Sequence, residues 1–158
     1  MLFRSAAVMV RQFRRSDRMY LLSTQSLMDL ICGQPEMTRW IGSVAAAEVH
    51  VSAVSVAHVQ AEVMAMTVAD GRDELDRALR VLLAYARRAN ILEVFDEEAA
   101  QVFSRLPPGV LYLDDDAELG DMSRMVVATA IDRSLELVEE PQPYHAHIAN
   151  LRTVDPAA

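Results

Sequence analysis

The chain has 158 residues, 52% of them hydrophobic, with 5 Gly, 6 Pro and a formal net charge of −8; this suits one domain with a sizeable core and excludes disordered and fibrous classes. Its charge is uneven, because five arginines against Asp17 give residues 1–18 a charge of +4 and leave −12 on the rest. An acidic body excludes an unaided, non-specific grip on nucleic acid, which rests on neutralising phosphates.

Residues 1–18 read as a detachable basic extension, an upstream-start addition or a flexible arm, with a contact to RNA or a partner as the lesser reading, before a domain over residues 19–156. Tyr20-Leu21-Leu22 is a short apolar strand, and Ser23-Thr24 caps a helix starting near Gln25. Leu27, Leu30 and Ile31 recur there at helical spacing until Gly33-Gln34-Pro35 stops it. A second helix is expected over Met37–Ala47, with Trp40 and Ile41 inward. Val49–Ser52 reads as a strand, and Ser55 as the start of a helix running to about Thr67. After the Asp70-Gly71 turn, Arg72–Ala89 carries Leu75, Leu79, Leu82, Leu83 and Ala86 on one stripe, an amphipathic helix that Asn90 ends. Ile91–Phe95 is a further strand, and Asp96 caps a helix over Glu97–Leu106 that Pro107-Pro108-Gly109 breaks. A loop with Asp114, Asp115 and Asp116 leads to a helix over Asp121–Arg133. Leu135–Val138 and Leu151–Val154 are the last strands.

Short apolar strands separated by helices imply an α/β fold with a central parallel sheet of four or five strands and helices on both faces. The single Cys32 excludes an intrachain disulfide and reads as a small core residue in a cytoplasmic protein. No apolar run approaches the roughly 20 residues of a membrane-spanning helix, and no Gly-rich phosphate loop is present. His145 and His147 read as surface loop residues, and Asp29 as a polar-face or structurally hydrogen-bonded group.

Four stretches in this order resemble the PIN domain of VapC-type toxins: Tyr20–Ile31, Val51–His58, Phe95–Ala100, and Ser123–Ala130 with the strands after it. The resemblance covers residues 19–156 and implies a three-layer α/β/α PIN-like fold. In that family, ribonuclease activity rests on acids gathered at the carboxyl ends of parallel strands. Carboxylates suit the family's Mg²⁺ or Mn²⁺, a hard cation that activates water and offsets phosphate charge. At the matching positions this chain carries Ser23, His58, Ser123 and Pro141. The family's frequent polar residue two positions after the first acid appears as Gln25. Two hydroxyls, a proline and an imidazole suited to softer metals cannot replace that charge. Acids displaced from the family positions are Glu62, four residues after His58, with Asp121 and Glu139.

The leading expectation is a degenerate PIN domain, without Mg²⁺-dependent nuclease activity and with no cofactor, that acts by binding protein. The resemblance implies an antitoxin or another PIN protomer, in a homodimer, as partner. A second reading is an active endoribonuclease toxin holding Mg²⁺ or Mn²⁺ through Glu62, Asp121 and Glu139. A third is an RNA-binding module, against which the acidic body counts. A serine–histidine hydrolase built from Ser23, His58 and Ser123 lacks an orienting acid and a nucleophile elbow.

Overall fold

The computed structural model describes residues 18–106 and 120–158. The basic extension up to Asp17, the Pro107-Pro108-Gly109 break and the Asp114–Asp116 acids lie outside these. The described elements are β1 (Tyr20–Leu22), α1 (Thr24–Ile31), α2 (Pro35–Ile41), β2 (Val49–Ser52), α3 (Ala53–Ala65), α4 (Arg72–Ala89), β3 (Leu92–Glu93), α5 (Glu97–Arg105), α6 (Asp121–Asp132), β4 (Glu136–Val138) and β5 (Arg152–Val154). Among the described residues they form one five-stranded sheet of order β3-β2-β1-β4-β5, with every pairing parallel. The expected three-layer PIN-like architecture is therefore present.

The registers follow from burial. In the centre Tyr20 pairs with Val49 on one side and Glu136 on the other, and Leu22 with Val51 and Val138. All three β1 residues are buried, as a parallel strand covered on both faces requires. Alternation sends Leu21 and Leu137 into a core with Val126, Val127 and Tyr144. It sends Leu22, Val51 and Val138 into a second core with Leu27, Val59 and Leu79. Trp40 meets Tyr20 edge to face at 5.2 Å between centroids.

Several boundaries differ from the sequence pattern. Helix α2 stops at Ile41, with Gly42 as its C-cap, and Ala46–Glu48 form a separate 3-10 turn. Helix α3 begins at Ala53, because the Ser52 hydroxyl takes the Val54 N–H at 3.2 Å. Ser55 is then buried in the first turn, where its hydroxyl accepts from Thr24 Oγ1 at 3.2 Å and ties α1 to α3. Cys32 is exposed, since it caps the solvent end of α1 and does not enter the core. By contrast Arg72–Ala89 is one helix to the residue, entered from Gly71 at φ +85° and left through Asn90 at φ +55°.

A polar network ties the edge of the sheet to α5 and α6. His50 Nδ1 lies 2.6 Å from Glu93 Oε1, and Arg133 Nε donates to Glu93 Oε2 at 3.4 Å. The same guanidinium contacts Asp96 and Asp132. Asp96 also caps α5 by accepting the Ala99 N–H at 3.1 Å. That backbone hydrogen bond, followed by the one from Arg133, holds the Asp96 carboxyl below the usual range.

A depressed folded-state pKa means that the unfolded chain binds the proton more tightly. The contribution of Asp96 is therefore complete above the ordinary aspartate range and is lost as pH falls through the lower folded value. Asp96→Asn keeps a capping oxygen but not the charge. Denaturant midpoints for the native chain should drop more steeply than those of Asp96→Asn between pH 5 and pH 2; parallel curves would remove Asp96 from the acid transition.

Candidate functional site

Strand order reverses between β1 and β4, and that is where an open α/β sheet leaves a crevice at the carboxyl ends of its strands. Here it is a cavity of about 300 Å³ lined by Ser23, Thr24, Gln25, His58, Glu62, Ser123, Glu139, Gln142 and Tyr144, with Val126, Val127 and Leu137 as its apolar wall. The residues at the first three acid positions thus meet in one cleft, together with Gln25, Glu62 and Glu139. Pro141 is exposed and does not line it. Asp121 also stands apart: its side chain is 77% exposed and pairs with Arg124 at 3.2 Å.

Several polar groups in the cleft have structural partners. Ser23 is buried, and its hydroxyl accepts the Ser26 N–H at 3.1 Å as the N-cap of α1. The Ser23 N–H donates to the Val138 carbonyl at 3.2 Å, which also accepts from the Ser26 hydroxyl at 2.7 Å. His58 Nε2 lies 3.1 Å from Glu62 Oε1 one turn on, while His58 Nδ1 is buried with no hydrogen-bond partner among the described residues.

Glu139 follows β4 and sits inside a network that the sequence pattern did not reveal. Its Oε2 accepts from the Tyr144 hydroxyl and from His145 Nε2, the latter at 2.7 Å. His145 Nδ1 accepts the Gln142 N–H at 3.3 Å, so the ring proton is on Nε2 and donates to the carboxylate. Burial, then the Glu139 charge, pushes the Tyr144 phenol up, and it stays protonated as a donor. His145 is therefore not a surface loop residue, because Pro143–His147 wind into a 3-10 turn that buries Tyr144 and brings His145 back onto Glu139; His147 alone of the two is exposed. The one cue in the sequence was an acid, a Tyr and a His within seven residues. Asp29 takes a structural hydrogen bond from Gln25 Nε2 at 2.8 Å, as expected.

A hard divalent cation prefers several converging anionic oxygens. The cleft offers two carboxylates, one paired with His58 and the other already accepting two hydrogen bonds. Among the described residues no three His, Cys, Asp or Glu side chains come together as a metal-binding group. This donor set does not fit Mg²⁺ or Mn²⁺ held as in the resembling family.

A second, larger hollow opens against α4. It has a volume of about 790 Å³, and its helix side is Glu74, Arg77, Ala78, Val81, Leu82, Tyr85 and Arg88, facing Leu30, Ile31, Ile41 and Val49. Val81 is 67% exposed and Tyr85 36%, so the groove displays apolar surface to solvent. The spacing of Ala78, Val81, Leu82 and Tyr85 marks a second apolar stripe on α4. In the sequence it was overshadowed by the leucine stripe, with which it shares Leu82.

No protein-family profile and no curated protein matches the chain. Among solved structures, it matches a chain in the crystal structure of VapBC2 from Rickettsia felis bound to a promoter DNA fragment, with TM-score 0.65 and 17% identity over 86% of this chain and 97% of that one. It also matches a chain of DNA-bound VapBC from Salmonella typhimurium, with TM-score 0.66 and 15% identity over 88% and 98%. A third match is to VapBC-5 from Mycobacterium tuberculosis, a member of the VapBC family of toxin-antitoxin systems, with TM-score 0.59 and 16% identity over 85% and 96%. At these identities the likeness establishes the fold, and that fold is the VapC-type PIN-like one.

The Ser23 geometry predicts a specific stability pattern. Ser23→Ala, which leaves the Ser26 N–H without its cap, should cost about 1 kcal/mol, whereas Ser23→Thr, which can accept the same bond without a charge, should cost much less. Equal losses in urea denaturation would show that the hydroxyl is not acting as a cap.

Proposed function

We propose that this chain is a PIN-like protein that works by binding another protein and does not cut RNA with Mg²⁺. The observation that carries this reading is the chemistry of the cleft: the first three acid positions hold Ser23, His58 and Ser123, and the Ser23 hydroxyl is committed to capping α1. The partner class is an antitoxin-type protein or another PIN-like protomer. Solved structures of toxin-antitoxin complexes with chains of this fold support it. The binding surface is the open apolar groove on α4, where Arg77 and Arg88 suit a segment that carries carboxylates beside its apolar side chains.

Glu62 and Glu139 lie in the same cleft, and this favours a second reading, a metal-dependent endoribonuclease with displaced ligands. The two readings separate in one experiment. Under the first, the native chain shows no chelator-sensitive RNA cleavage with Mn²⁺ or Mg²⁺ and no saturable heat of Mg²⁺ binding. A chain carrying Ser23→Asp, His58→Glu and Ser123→Asp should gain at least tenfold in metal affinity by calorimetry, through the added carboxylates. Robust cutting by the native chain, stopped by chelator, would overturn the protein-binding reading.

A further inference from the structure

We propose that the hollow beside α4 is a binding site for a free aliphatic monocarboxylate, a fatty acid of medium chain length, with its alkyl chain over the sheet and its carboxylate at Arg88 and Tyr85. The hollow is the surface named above for a protein partner, so the two occupants would compete for it. The ligand site needs only the hollow and does not depend on that reading.

Depth separates this hollow from a flat docking face. Its floor is the sheet, where Leu22 of β1 and Val49 and Val51 of β2 line it together with Ile91, and none of the four is more than 4% exposed. Leu30, Ile31 and Ile41 from α1 and α2 make one wall, with Ala78 and Leu82 of α4 opposite and Val81 and Tyr85 standing out toward solvent. The volume of about 790 Å³ falls within the roughly 300–1,000 Å³ of small-molecule sites. Aliphatic walls of this kind offer water few hydrogen-bond partners, so an alkyl chain displaces it favourably.

Charge selects the head group. Among the described residues neither Arg77 nor Arg88 has an ion-pair partner, whereas Arg72 and Arg80 of the same helix pair with Asp73 and Asp76. Against a body of net charge −12, two such cations beside an apolar hollow set a local preference for an anion. The two ends of the stripe differ. Arg88 stands three residues from Tyr85, one helical turn, so a guanidinium and a phenol hydroxyl both serve a carboxylate there. At the other end Glu74 stands one turn from Arg77 and offsets it, which places the head group at Arg88 and leaves the remaining length of α4 for the chain.

The test is calorimetry on the full chain with octanoate, decanoate and dodecanoate below their micelle-forming concentrations. Each should bind saturably, one per chain, with affinity rising about two- to fourfold per added methylene, the ratio for half to full burial of that group. The nuclear magnetic resonance signals of Ala78, Val81 and Leu82 should shift with the same midpoint. Arg88→Gln, at an exposed position, should weaken decanoate about threefold and leave decanol, which has the same chain length without the charge, unchanged. Val81→Asp, also at an exposed position, should abolish both. Affinity that does not grow with chain length, equal binding of decyltrimethylammonium, or decanoate binding untouched by Arg88→Gln would overturn the proposal. So would signals that move only with phosphatidylglycerol vesicles or only with an acidic amphipathic peptide, which would give the hollow to a membrane or to protein alone. None of these readouts involves RNA or a metal. Failure here leaves the protein-binding reading standing, and failure to find a protein partner leaves the ligand site standing.

Discussion

The joint between β1 and β4 governs how this molecule is put together. At that seam the Val138 carbonyl accepts both the Ser23 N–H and the Ser26 hydroxyl, and the Ser23 side chain turns back to cap α1. One carbonyl therefore ties the end of the central strand to the start of the first helix. A carboxylate in place of the Ser23 hydroxyl would bring a negative charge to this buried corner beside the Val138 carbonyl. Here the hydroxyl satisfies the helix end with no charge to offset, and the corner can be buried without a cation.

The pairing of polar groups sets the character of the cleft. The cleft lies where the strand order reverses, and several of its polar atoms are directed at one another. Glu139 is held by Tyr144 and His145, Glu62 by His58, and Ser23 by its own helix. Among the described residues, the wall of α4 displays apolar surface at Val81 and Tyr85. A fold that serves hydrolysis in one setting can serve recognition in another when the site residues change and the scaffold does not.

How much of this was legible depended on which forces acted locally. Arg72–Ala89 was readable to the residue, because its leucine stripe, glycine entry and left-handed Asn90 exit are all local signals. Asp96 was recognisable as a cap for the same reason. The reach of α2 was overestimated, because alanines after Gly42 look helical while Gly42 ends the helix. Cys32 was placed in the core by residue type, although the last position of a surface helix decides its exposure. In the cleft, the resemblance pointed to Ser23, His58, Ser123 and Pro141; the first three line one cavity and Pro141 does not, and what satisfies them could not be read from it. His145 depends on a 3-10 turn that alternation along an extended chain does not describe, and Asp121 was drawn away by Arg124, three residues on. The groove arises from helices far apart in sequence, so no single stretch announced it.

The two-residue length of β3 has a wider consequence. An edge this short offers almost no unpaired backbone for another chain to zip onto, and β5 at the other edge has only three residues, two of them exposed. Open α/β sheets are vulnerable to runaway stacking along their rims, and abbreviated outer strands suppress it. Encounters between molecules are thereby steered away from backbone templating and toward side-chain surfaces, where the identity of each residue can discriminate one companion from another.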